Sequence, residues 1–312
     1  MKSIKQTVLI FVCLIAISDS LFGQSKVIEL WNGKVPGSIT KPEYKQIVDS
    51  AYWIKIRYIT KPTILVYPAA TDKNAGTAVV VCPGGGYYGI SHIGEGTEVA
   101  KWLNQLGITA VVLHYRLPDD AIMKDKSIAP LQDGQEAMRI VRRNAKVWGI
   151  DPNKIGIMGF SAGGHLASTV STHFDEKVYS PIDSTSARPD FSLLIYPVVS
   201  MDAAITHMGS RESLLGENPS PELVKHFSNA LQITAKTPPA FMIHSLDDGT
   251  VPVENSMEYA LAMKKNSIPC ELHIYEKGGH GYGLGKKNSG TESTWKQACE
   301  KWLEVKGLLQ KK

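Results

Sequence analysis

Ile155-Gly156-Ile157-Met158-Gly159-Phe160-Ser161-Ala162-Gly163-Gly164-His165 is the stretch that decides the fold. Its first residues are apolar and β-rich, the signature of a strand buried on both faces. The residues after Ser161, to about 172, are compatible with a helix. A strand therefore runs into a tight turn and leaves it as a helix. Gly159 and Gly163 stand two residues either side of Ser161, where side chains would crowd such a turn. The emerging helix points free N–H groups and the positive end of its dipole at the turn. That setting suits a nucleophilic serine. G-x-S-x-G alone is common by chance in a chain with 27 glycines, and a glycine-rich turn whose serine merely caps the helix is the plain alternative. The strand before it and the helix after it favour the nucleophile.

Outward from this turn, apolar runs alternate with helical patterns. Strands are expected at 78–82, 108–114, 154–160, 191–196, 240–245 and 270–275. Helices are expected at 98–106, 131–148, 162–172, 254–265 and about 291–309. Two earlier runs, 53–58 and 62–67, read as a strand pair, and 30–52 reads as an irregular lead-in. Arg139, Arg142, Arg143 and Lys146 lie off the apolar face of their helix and read as solvated surface. The alternation predicts an α/β fold, with a mostly parallel central sheet and helices on both faces. Residues 198–236 form a long polar insertion, read as a cap or lid within one domain over 24–312.

The chain has 312 residues and a formal net charge of +4. Its basic residues are dispersed, so nucleic acid is not an expected partner. Lys2 and Lys5 precede a run of about 11 mostly apolar residues, shorter than the ~20 that span a bilayer. Residues 1–23 therefore read as a secretory signal peptide, and the mature protein as exported, periplasmic or secreted in a bacterium, without stable membrane insertion. Cys82, Cys270 and Cys299 remain, with no C-x-x-C pair, so a structural zinc site is not expected.

A serine hydroxyl needs a base at neutral pH. His280 lies in Gly278-Gly279-His280-Gly281, just after the last expected strand, where glycines let the loop bend toward Ser161. His244 is the rival, but it falls inside an expected buried strand and reads as structural. The acid belongs after the preceding strand, where Asp247 and Asp248 both stand. Pro83-Gly84-Gly85-Gly86-Tyr87 follows an earlier strand, and its glycines let backbone N–H groups approach a substrate. The N–H groups of Gly85, Gly86 and Ala162 are the expected oxyanion donors. No Gly-Lys-Ser/Thr follows, as a phosphate loop would require. Tyr87, Tyr88 and His165 are pocket candidates, as are Tyr115, His207 and Met208, although each is equally compatible with core or surface.

These stretches, with His114-Tyr115-Arg116-Leu117 and residues 133–142, resemble the α/β-hydrolase superfamily. Within it, the chain from residue 30 onward is similar to secreted bacterial esterases of the acetyl-xylan esterase and BD-FAE-like group. Lipase-like relatives open the glycine loop with histidine, whereas Pro83 stands here, as in the carbohydrate-esterase variant. The resemblance implies the α/β-hydrolase fold, a triad of Ser161, Asp248 and His280, and neither metal nor organic cofactor. It implies hydrolysis of short-chain esters through an acyl-enzyme, the substrate being a small ester or acetylated oligosaccharide of acetyl-xylan type. Feruloyl esters, lipids, lactones and peptides are alternatives on the same fold. A glycoside hydrolase needs two carboxylates flanking the bond, and no pair stands out. A non-catalytic carbohydrate-binding module would commonly lose a triad member.

Overall fold

Strands β1 (Lys26–Glu29), β2 (Ile47–Asp49), β3 (Lys55–Arg57), β4 (Thr63–Tyr67), β5 (Ala78–Cys82) and β6 (Ile90–Ser91) open the chain. Helix α1 (Glu98–Gln105) and β7 (Thr109–His114) follow, then α2 (Ala129–Asn144), β8 (Ile155–Phe160), α3 (Ser161–Thr172) and β9 (Ser192–Ile195). After β9 come α4 (Met208–Leu215), α5 (Pro221–His226), β10 (Ala240–Ser245), α6 (Glu254–Lys265), β11 (Cys270–Tyr275) and α7 (Trp295–Val305). This computed structural model describes residues 26–49, 55–285 and 290–310. The expected signal peptide over 1–23 lies outside the described residues, as do Trp53 and Ile54 of the expected strand pair.

Eight strands form one sheet in the order β1-β4-β7-β5-β8-β9-β10-β11. β1, β4 and β7 pair antiparallel, and every pairing from β7 to β11 is parallel. All residues of β5, β7, β8, β9 and β10 are buried, the physical counterpart of their uninterrupted apolar sequences. Alternate side chains of β5 feed two cores: Val80 belongs to the one that α2, α3 and α6 help to fill, while Val79 and Val81 belong to the one that α1 and α7 help to fill. Each continuous apolar run thus serves both layers of helices.

The chain leaves β5 for β7 on one side and returns to β8 on the other. A crevice opens outside the carboxyl ends of neighbouring strands at such a reversal. Cys82 of β5 faces Gly159 of β8 there, so the glycine loop and the serine turn emerge side by side.

Three local features depart from the sequence expectation. The runs 53–58 and 62–67, read as a strand pair, do not pair with each other: β3 joins β2 and β6, and β4 joins β1 and β7. β2, β3 and β6 form a separate small sheet, and β2 lies within the stretch read as irregular. Ile47 and Val48 are exposed, so they carry no buried-face pattern to read. Arg139, Arg142 and Arg143 are half-buried rather than freely solvated. Arg139 and Arg142 bond Thr185 O and Asp190, fastening α2 to the loop before β9, while Arg143 bonds Glu136 of its own helix. Carbonyls cannot be recognised as partners from sequence.

At the other end of α2, Asp133 accepts from the guanidinium and backbone N–H of Arg116 and from Trp31 Nε1. Arg116 and Asp133 side chains are 1% and 0% exposed. Residues 198–236 carry α4, α5 and a short turn of 3₁₀ helix. Asn229 donates to Ser168 Oγ and Thr169 Oγ1 of α3, and Asn255 of α6 receives the N–H groups of Val199 and Ser200. The insertion is therefore docked on two core helices. Among the described residues, no helix is long and apolar enough to cross a membrane.

Candidate active site

Ser161 has φ +51°, a left-handed conformation costly for a residue with a Cβ. The surrounding packing enforces it. A Cβ on Gly159 would stand 2.1 Å from the Gly163 carbonyl oxygen, and one on Gly163 would stand 2.1 Å from that of Cys82. Both glycines are thus required by contact, and Gly163 lets the end of β5 lie against the turn. Ser161 opens α3, so Ala162 lies in a first turn whose N–H groups have no partner within the helix.

His280 Nε2 lies 2.8 Å from Ser161 Oγ, and its Nδ1 lies 2.7 Å from Asp248 Oδ2. Gly279 and Gly281 flank the histidine with φ of +59° and +73°, which glycine adopts without strain. Asp248 is the partner of the ring, while Asp247 Oδ1 accepts from the Gly279 N–H at 2.8 Å. The two neighbouring acids, between which the resemblance chose Asp248, therefore have separate tasks. One holds the imidazole and the other holds its loop.

Asp248 Oδ1 also accepts from the N–H groups of Thr250 and Val251 at 2.9 Å. Burial raises its carboxyl pKa, but bonds from His244, His280 and the Val251 N–H outweigh burial and hold it well below the usual carboxylate range. An ionised Asp248 only accepts, so His280 Nδ1 carries a proton and Nε2 is free to accept from the serine hydroxyl. His244 is buried in β10, as its strand position predicted. Its Nε2 lies 2.9 Å from Val251 O and 3.2 Å from Asp248 Oδ2, and its Nδ1 lies 2.8 Å from Ser256 Oγ. It braces the acid from below.

The glycine loop lies directly beside Ser161. A Cβ on Gly84 would stand 3.0 Å from the Ser161 Cβ. Gly85, Gly86 and Tyr87 have φ of +135°, +66° and +59°, a left-handed run that turns the backbone sharply at the serine. Tyr115 Oη donates to Pro83 O at 2.7 Å. Tyr87 Oη and His165 Nδ1 are 2.8 Å apart, and His165 Nε2 reaches Phe227 O at 2.8 Å. A carbonyl only accepts, so His165 Nε2–H donates to it and Nδ1 receives the tyrosine hydroxyl. Burial pulls the His165 pKa down to about 4, and the ring is neutral. Tyr87, Tyr115 and His165 are thus buried supports of the loop. Tyr88 is exposed, with Arg57 stacked 4.5 Å from its ring centre. His207 faces the loop, where a Cβ on Gly86 would lie 3.6 Å from its Cε1.

Two buried residues escaped the sequence reading. Glu95 Oε2 accepts from the Gly84 N–H at 2.8 Å, and its Oε1 accepts from Tyr196 Oη at 2.9 Å. That hydroxyl also accepts from the Gly283 N–H at 2.8 Å, and the Tyr196 ring packs edge-on 4.9 Å from His280. The pair couples the glycine loop to the histidine loop. The sole signals in sequence are an isolated acid between two glycines and a tyrosine at a strand end.

The BD-FAE family model matches residues 65–263. An acetylxylan esterase of Xylanibacter ruminicola is 43% identical over 218 residues, which is 69% of this chain and 42% of that protein. Endo-1,4-beta-xylanase B of Butyrivibrio fibrisolvens is 36% identical over 75% of this chain and 36% of its own length. The chain thus spans less than half of either relative. The crystal structure of an acetyl ester-xyloside bifunctional hydrolase from Caldicellulosiruptor lactoaceticus superposes with a TM-score of 0.77 at 40% identity, covering 93% of this chain and 100% of that one. The family match runs through the strands that carry the glycine loop, Ser161 and Asp248, over well more than half of the sequence, and the chain belongs to the BD-FAE family.

Proposed function

We propose that this protein is a serine esterase that removes short acyl groups, acetyl above all, from acetylated xylan fragments. One observation carries the chemistry: Ser161, His280 and Asp248 form an unbroken hydrogen-bonded chain on a strained strand-to-helix turn. Ser161 Oγ attacks the ester carbonyl while His280 Nε2 takes its proton. The N–H groups of Gly85, Gly86 and Ala162 receive the developing oxyanion. His280 then protonates the departing sugar hydroxyl, leaving an acyl-serine. Water, deprotonated by the same nitrogen, releases the acid and restores the serine. Asp248, held ionised, orients the ring and stabilises its cationic form. The substrate class is supported by the names of the Xylanibacter and Caldicellulosiruptor proteins. Residues 198–236 act as a cap over the crevice, supported by His207 facing the glycine loop. Lys2, Lys5 and the apolar run after them support export of the chain.

The purified protein is expected to release acetate from acetylated xylan and from a chromogenic acetyl ester. Ser161→Ala should lose at least about 10³-fold in kcat/KM with an unchanged circular-dichroism spectrum. Full activity in that variant would refute the mechanism, and faster turnover of feruloyl or long-chain esters would refute the acyl preference. The N-terminus of protein recovered from a bacterial periplasm or medium should begin near residue 24; an intact leader there would refute export processing.

The xylanase and xyloside names of two relatives raise a second reading, glycoside cleavage. Among the described residues, the carboxylates bonded into the Ser161 site are Asp248, Glu95 and, on the histidine loop, Asp247, and each accepts from fixed donors. Reducing sugar released from deacetylated xylan, and retained by Ser161→Ala, would establish it.

A further inference from the structure

We propose that His173, Glu176 and His226 form a binding site for a zinc-type divalent cation that fastens the 198–236 segment to the end of α3. At 1.5 Å per residue along α3, the site lies about 18 Å from Ser161. It is separate from the serine chemistry.

His173 follows the last residue of α3 and is 6% exposed. Its Nδ1 lies 3.2 Å from Thr169 O and 2.8 Å from Thr172 Oγ1. The carbonyl can only accept, so Nδ1 carries the hydrogen and Nε2 presents a lone pair. That Nε2 is buried and has no hydrogen-bond partner. Such an orphaned acceptor is costly, and a histidine pinned through its other nitrogen by a carbonyl is how proteins orient a metal ligand. The His226 carbonyl also approaches this ring.

His226 ends α5, and its ring packs edge-on 4.6 Å from His173. Its Nε2 lies 3.4 Å from Glu176 Oε2. One donor atom from each of the three residues falls within 4.8 Å of the others. Bonds of about 2.0–2.1 Å in a tetrahedral site place ligand atoms roughly 3.3 Å apart. One pair already has that spacing. Small rotations of the half-exposed His226 and Glu176 side chains, which are 38% and 35% exposed, bring in the third. Water on the open side supplies the fourth ligand. Two imidazoles and one carboxylate suit Zn²⁺ or Co²⁺ and not the all-oxygen preference of Mg²⁺ or Ca²⁺. The absence of C-x-x-C is no obstacle, since no ligand is a cysteine.

The location gives the tether a consequence. His173 and Glu176 belong to the core side, while His226 belongs to the insertion. The next residue, Phe227, receives the His165 Nε2–H, and His165 in turn holds Tyr87 of the glycine loop. The cation would fix the insertion where it braces that loop.

The test is calorimetric titration and thermal melting of the full protein after chelator treatment. Zn²⁺ should bind at one per chain and raise Tm by about 2–4 °C or more at saturation, with no shift from Mg²⁺ or Ca²⁺. Co²⁺ should give the visible absorption of a tetrahedral complex. His226→Gln, at a half-exposed position, should keep the metal-free Tm and lose Zn²⁺ affinity by more than the roughly 10–100-fold cost of an outer-shell change. Glu176→Gln should behave alike. Absence of saturable binding, or equal Zn²⁺ stabilisation in both variants, would overturn the site and leave only the direct contact between His226 and Glu176.

Discussion

At the residue scale, Asp247 and Asp248 show how neighbours of one type take different work. Asp248 faces inward with both oxygens occupied, and its side chain is fully buried. Asp247 is exposed and accepts one backbone N–H. Asp248→Asn keeps the shape of the site but disturbs the imidazole tautomer, and should cost about 10⁴-fold in kcat. Asp247→Asn retains an acceptor for Gly279 and should cost less than tenfold, within the roughly 0.5–1.5 kcal/mol of a neutral hydrogen bond. Steady-state kinetics on a chromogenic acetyl ester compares the two, and a reversed order would exchange their roles. Glu95 teaches a related lesson. It is a buried acid whose partners are a backbone N–H and a tyrosine more than 100 residues later in the chain, so no local pattern marks it.

At the scale of elements, the parallel strands were legible because burial on both faces leaves one-sided polarity nowhere to appear. β8 and α3 are the clearest case: apolar run, glycine, serine, glycine, helix. β2 and β6 were not legible, being two or three residues long and paired only in a small side sheet. The junction of β7 with α2 rests on the buried Arg116–Asp133 pair. Arg116→Met would strand an unpaired carboxylate and should destabilise by about 3–5 kcal/mol. The double variant with Asp133→Leu removes both charges and should recover most of that loss. Denaturant unfolding of the three variants measures it, and additive losses would show that the pair is not coupled.

At the scale of the whole molecule, buried neutral histidines set the acid limit. His114 touches His92 at 3.0 Å, and burial together with that neighbour pulls its pKa down to about 3. His165 is pulled down to about 4 by burial, against the Phe227 carbonyl. Unfolded histidine titrates near ~6.5. Between these values the unfolded chain binds more protons than the folded one, so stability falls as pH drops through that window, by at most about 1.4 kcal/mol per unit per histidine. Above ~6.5 the two make no further difference. Asp248, held below the ordinary carboxylate range, extends the loss below ~4, where the unfolded acid is protonated first. Tm should be flat from pH 7 to 8 and fall steadily from 6.5 to 4, and His114→Gln should flatten the slope. A Tm that rises on acidification would contradict the sign.

The sequence by itself determined the layered α/β architecture, the serine turn, the histidine loop and the glycine loop. Each is a local matter, because the period of apolar residues and the conformations open only to glycine are written in consecutive residues. Tertiary structure alone decided that Asp247 holds the histidine loop, that Glu95 and Tyr196 link the two loops, and that His173, Glu176 and His226 meet. Those facts depend on the strand order, which brings residues far apart in the chain to the same end of one sheet, and distance along the chain carries no record of that.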